Sequence, residues 1–128
     1  MSAKSNYLEN AVLDHVLGTT ALTSPTVYLS LYTSNPDEDD SGTEVSGNGY
    51  ARIAVDFNAA SGGSATGPDA VKEFTASGGA FGTVTHFGLH DASTSGNLIY
   101  YGALTASKTI ADGDTLRFAA DSVTITEA

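Results

Sequence analysis

Apolar and polar positions alternate strictly along 26–32, TVYLSLY, with Val27, Leu29 and Leu31 on one face and Tyr28, Ser30 and Tyr32 on the other. That period is a β-strand's. The stretch 82–104, GTVTHFGLHDASTSGNLIYYGAL, carries two apolar runs, 83–90 and 98–104, around the turn-favouring residues 91–97, and so predicts a long hairpin. Alternation places Leu98, Tyr100 and Leu104 on one face and Ile99, Tyr101 and Ala103 on the other. Neither face suits water, so both should be covered.

The first element is predicted to be helical over 6–17. Asn6-Tyr7-Leu8-Glu9 resembles a capping box with Asn in the capping position, Gly18 supplies the stop, and Leu8, Ala11, Val12, Leu13, Val16 and Leu17 lie between. These positions cover about half the helix circumference, a wider stripe than one sheet face needs. The helix should therefore be covered on more than one side, by the hairpin and by a second subunit. Residues 50–57 resume strand alternation, 70–75 carries one further strand inside a Gly- and Ser-rich region, and 108–126 holds two more. Asp112-Gly-Asp114 makes a turn there, Leu116 and Phe118 face inward, and Val123 and Ile125 close the chain. Short strands at turn-punctuated spacing after a single helix predict one domain over 1–128. It should be mainly β, an antiparallel β-sandwich over 26–126, with a jelly roll or a partly open barrel as the alternative.

Composition narrows the partners. Fifteen acids against five bases give a net charge of −10, which repels phosphate backbones and anionic lipid, so neither nucleic acid nor membrane is an expected partner. The absence of cysteine removes disulfides, thiolate metal sites and a cysteine nucleophile. No signal-peptide pattern and no apolar run of about 18 residues is present, so neither Sec export by a cleaved signal nor a membrane span is expected.

Candidate chemistry is sparse. His86 and His90 share a strand face with Asp91 beside them, but four residues of strand span about 13 Å, too far for both imidazoles to reach one metal. Packed or hydrogen-bonded histidines are the better reading, and His15 stands alone on the helix. The loop 33–49, TSNPDEDDSGTEVSGNG, is too long for an ordinary connection and should be functional or mobile. Asp37, Asp39 and Ser41 match the opening of a calcium loop, but Asn48 stands where a bidentate Glu belongs, so a solvated acidic loop outweighs a calcium site. Adjacent exposed acids make a poor glycosidase pair, and no nucleophile elbow, phosphate loop or dinucleotide fingerprint occurs. No catalytic residue and no cofactor are expected. Aromatic residues on strands are usually core, and that reading is preferred, but if Tyr28 and Tyr32 face outward as the alternation implies they would anchor the helix, a neighbouring subunit or a sugar ring, and with Leu13 and Leu17 of the helix they are the interface candidates.

Four segments, NYLENAVLDHVLG (6–18), TVYLSLYTSNP (26–36), GTEVSGNGYAR (42–52) and the hairpin itself, together resemble a family of small tailed-bacteriophage virion proteins, often named tail-fibre-like and similar to capsid cement or decoration proteins. The resemblance spans nearly the whole chain, with 58–81 its weak part. It implies a non-enzymatic virion component, assembled in the host cytoplasm. Its partners would be the major capsid protein, other virion proteins or further copies of itself. A receptor-binding fibre usually needs length, repeats or a shaft, and 128 residues around one core supply none. A compact domain that binds several capsid subunits at once fits cementing better, ahead of a tail-fibre or tail-tip adhesin and, third, a glycan-binding module.

Overall fold

Two apolar faces meet in a core that no single sheet could close. In the computed structural model, which describes residues 2–127, the core joins Leu29, Leu31, Phe87, Leu89 and Ile99 to Phe74, Leu116, Phe118, Val123 and Ile125. The first group lies on a five-stranded sheet and the second on two strand pairs. The elements in chain order are β1 (Ser2–Lys4), α1 (Asn6–Val16), β2 (Val27–Tyr32), β3 (Ile53–Val55), β4 (Ser64–Gly67), β5 (Lys72–Thr75), β6 (Gly82–His90), β7 (Leu98–Ile110), β8 (Thr115–Phe118) and β9 (Val123–Thr126). The large sheet has the order β1-β7-β6-β2-β3, while β4 pairs with β9 and β5 with β8. Every pairing is antiparallel. The result is an open, sandwich-like β fold with one N-terminal helix.

The hairpin β6–β7 lies at the centre of the large sheet, with β2 on one side and β1 on the other. Both of its faces are covered at the loop end, where Leu98 is 3% and Ile99 6% exposed. The coverage does not continue along β7, because Ala103 and residues 105–109 are exposed. Between the pairs Val84↔Lys108 and His86↔Ala103 the register slips, so residues 104–107 of β7 bulge without a partner on β6. The residues Lys108 to Ile110, expected to begin a later strand, are the far end of β7.

Three local expectations need correction. The helix begins at Asn6 as expected, but Ser5, not Asn6, is the cap, and its Oγ accepts from the Leu8 amide. Ser5 wins because it is fully enclosed, its hydroxyl also donating to the Leu98 carbonyl of β7. The 50–57 strand shrinks to Ile53–Val55, since the Tyr50 and Arg52 side chains are committed to Glu44. Finally, α1 is covered on one side only. Leu8 is its one buried residue and Val12 packs against the core, whereas Leu13, Val16 and Leu17 are 56%, 71% and 74% exposed.

Candidate functional site

Ser30 and Tyr32 of β2 and His90 of β6 face away from the aliphatic core yet do not reach solvent, because the acidic loop folds back over them. The loop is itself a hydrogen-bonded structure: Ser41 N–H donates to the Pro36 carbonyl, Thr33 N–H to Thr43, and Val45 N–H to Leu31. Pro36 and Val45 are buried under it. At its turn Asp37 and Asp40 both take left-handed backbone conformations, with φ of 56° and 57°, which short polar side chains tolerate best.

Beneath the loop lies a closed polar seam. Ser30 and His90 are both 0% exposed, and Tyr32 is 1% exposed with its ring stacked on the imidazole, centroids 6.1 Å apart. Ser30 Oγ is 2.9 Å from His90 Nδ1, Tyr32 Oη is 3.1 Å from His90 Nε2, and the Tyr32 hydroxyl donates to Asp40 Oδ1 at 2.5 Å. With the Tyr32 hydroxyl donating to Asp40, His90 Nε2–H donates to the phenol oxygen, and Ser30 Oγ, which can donate or accept, satisfies Nδ1 in either charge state of the ring. Burial pushes the His90 pKa down and the Arg52 charge adds to this, against the opposing pull of Glu44 and Asp40. Tyr32 is shifted far upward by burial and by its Asp40 bond.

The seam needs Gly88 between its walls. A methyl group there would sit 2.7 Å from Ser30 Oγ, too close to be accommodated without a shift, and a tight 3.0 Å from both Tyr32 Cε1 and Leu98 Cδ1.

A second set of charges locks the seam's edge. Arg52 grips Glu44 through Nε and Nη2, each at 2.8 Å, and its Nη1 donates to the carbonyls of Ala92 and Ser95 in the hairpin loop. Tyr50 adds a hydrogen bond to Glu44 at 2.6 Å. Burial alone would raise the Glu44 pKa, but the bonds from Arg52 and Tyr50 and the guanidinium charge outweigh it and hold the carboxyl below its ordinary value. Such a two-point fork fixes geometry as well as charge.

The Ser–His–Tyr–Asp order of the seam is chemically suggestive, but no substrate atom reaches a serine and a histidine that are wholly enclosed. What this arrangement can do is hold the acidic loop on the sheet. The residues singled out from sequence separate accordingly. Tyr32 does leave the aliphatic face, as its alternation requires, but it is buried inside the domain and offers nothing to another chain. Tyr28 is half-buried, while Leu13 and Leu17 lie on the open face of α1. Asp37, Asp39 and Ser41 stay together on the exposed turn, where Asp39 Oδ1 accepts from the Ser41 amide. Among the described residues no three His, Cys, Asp or Glu side chains converge as a metal site requires. His86 meets only its neighbour Thr85, at 2.8 Å, and His15 Nδ1 accepts from the Leu22 amide. Glu44, Arg52 and Asp40 carry the lock and were not singled out by sequence, where nothing distinguishes them from other loop charges.

The surface supplies the remaining candidates. Of the five exposed large apolar residues among those described, Tyr7, Leu13 and Val16 lie in α1 and Leu17 is its C-cap. An apolar hollow of about 250 Å³ lies beside α1 between Tyr7, Leu22, Pro25 and Tyr100, and a second, of about 270 Å³ between Val27, Phe57 and Ile125, shares Val27, Ile99 and Tyr100 with it. The family model described as podophage GP4 fiber I protein gp80 matches residues 3–126. The chain belongs to that family. As a podophage fibre-family protein it is a bacteriophage virion structural protein of the tail-fibre type, and the match includes the region 58–81 that the sequence resemblance covered weakly. No curated protein sequence matches the chain.

Proposed function

We propose that this chain is a non-enzymatic structural module of a podophage fibre, held to its neighbours through the exposed apolar face of α1 and placed where the fibre meets the host surface. The observation that carries this reading is the fibre-family match across residues 3–126. It reverses the order of preference that chain length suggested. Shortness argued for a capsid cement protein, but a fibre can be assembled from short units as well as from one long chain. The flank of Tyr7, Leu13, Val16 and Leu17 supports the association half of the reading, because a soluble domain rarely concentrates its exposed apolar residues on one helix. Its partners are other copies of the chain or other virion proteins. The charge of −10 speaks against nucleic acid and membrane.

Copy number separates fibre from cement. Quantitative mass spectrometry of purified virions, with immunogold labelling, should find few copies relative to the major capsid protein, all on projecting fibres. Abundance comparable with the major capsid protein and label spread over the capsid would replace this reading with the cement one.

A further inference from the structure

The five basic residues are not distributed evenly between paired and free states. Lys4 is paired with Glu127 and Arg52 with Glu44. Lys108 and Arg117 have no hydrogen bond or ion pair among the described residues, even though Glu73 stands opposite Arg117 in the β5–β8 register. Both line one cleft of about 470 Å³, between the bulge of β7 and the strands β8 and β9. The third free base, Lys72, is next to it in the register, opposite Phe118. Not one of the chain's fifteen acids lines this cleft. In a molecule of charge −10, two bases without an ion pair thus line one hollow that has no carboxylate in its wall, the nearest in register being Glu73 opposite Arg117.

The rest of the lining says what kind of anion fits. Thr105, Ser122 and Thr124 offer hydroxyls, and Leu104 offers an apolar wall. Hydroxyl donors and acceptors beside an apolar surface suit a sugar ring, and the two cations suit a carboxylate or phosphate carried on it. The bulge at residues 104–107 supplies one wall of the site through Leu104, Thr105 and Ala106. We infer that the cleft between the β7 bulge and β8–β9 binds an anionic saccharide, with Lys108 and Arg117 as the charge-recognising residues. This rests on the fibre reading only for its biological meaning; the binding itself can be tested on the isolated chain.

The probes are trigalacturonate, which carries carboxylates, glucose 6-phosphate, which carries a phosphate, and maltotriose, a neutral control, each titrated into the ¹⁵N-labelled chain. At least one anionic probe should bind saturably with amide shifts confined to residues near Lys108, Arg117 and Thr124. The double variant Lys108→Gln with Arg117→Gln should lose about tenfold or more in affinity, while Lys4→Gln, whose base lies at the other end of β7, should retain it. Both cleft cations are exposed, so the double variant should unfold at the wild-type urea midpoint. Trigalacturonate binding alone would identify a uronic acid as the receptor group, and glucose 6-phosphate binding alone a phosphorylated sugar. Three results would overturn the site: no response to either anionic probe, equal binding of maltotriose, or unchanged affinity in the double variant. None of them bears on copy number, so failure here leaves the fibre reading intact, and a capsid location leaves the cleft chemistry intact.

Discussion

Protonating His90 would charge an imidazole enclosed between Ser30 and Tyr32 and turn its Nδ1 from an acceptor of the Ser30 hydroxyl into a donor to it. The unfolded histidine takes up its proton near 6.5, and the folded one only at lower pH. Between those values the unfolded chain binds more protons, so stability is fully present above 6.5 and is lost as pH falls toward the folded pKa. One proton limits the slope to about 1.4 kcal/mol per pH unit. Urea midpoints measured at about pH 7.5 and about pH 5.5 should therefore drop in the wild type. They should drop less in His90→Gln, and parallel curves would show that His90 titrates normally. The sequence made a packed or hydrogen-bonded His90 the better reading, but not its partners. Ser30 and Tyr32 lie on another strand and Asp40 in a loop, and only the fold brings four such separated residues together.

At the scale of elements, the hairpin and the acidic loop support each other. Leu98 and Ile99 are buried on opposite faces of β7, so Leu98→Ala and Ile99→Ala should each cost about 2 to 5 kcal/mol through lost burial and residual cavity. A negligible change in denaturant midpoint for either would mean that its face is open. Arg52 ties β3's approach to Glu44 and to two carbonyls of the hairpin loop, with only 8% of its side chain exposed. Arg52→Met leaves the partly buried Glu44 with Tyr50 as its remaining partner and should cost about 1 to 3 kcal/mol. Hydrogen exchange in residues 91–97 should quicken as well, because their carbonyl anchor is gone. An unchanged midpoint would reduce the fork to a surface ion pair. The hairpin, β2 and the helix were legible in the chain because their apolar periods are long. β1 and β4, SAK and SATG, were not. Their few small or polar residues carry no period, and they become strands only because β7 and β9 present open edges to them.

For the whole molecule, the contrast between Leu13 and Tyr32 separates assembly from folding. Both were interface candidates, yet Leu13 is 56% exposed and Tyr32 1%. Leu13→Glu should leave monomer stability within about 0.5 kcal/mol of wild type and weaken self-association and incorporation into virions. Tyr32→Glu should unfold the domain, since it buries a charge against Asp40. Sedimentation with parallel urea titration checks both. Full incorporation of Leu13→Glu would remove α1 as the contact. The sandwich-like class was legible from turn spacing and alternation, but strand order was not, because nothing local states that β1 lies beside β7 or β4 beside β9. The cleft between the β7 bulge and β8–β9 was equally hidden, for one of its walls is a bulge that shows only in the strand register.

That same strand order sets a timetable. The hairpin β6–β7 closes through a short loop, but Ser2 must find Gly102, Ser64 must find Thr126, and the cap of α1 needs the Leu98 carbonyl. A chain emerging from the ribosome can therefore neither seal its first edge nor anchor its first helix until the hairpin has appeared. Non-local pairing of this kind places refolding on the millisecond-to-second scale, with the hairpin as nucleus. Stopped-flow refolding should accordingly show Leu98→Ala slowing the folding limb, while Val123→Ala, in the last strand to arrive, chiefly speeds unfolding.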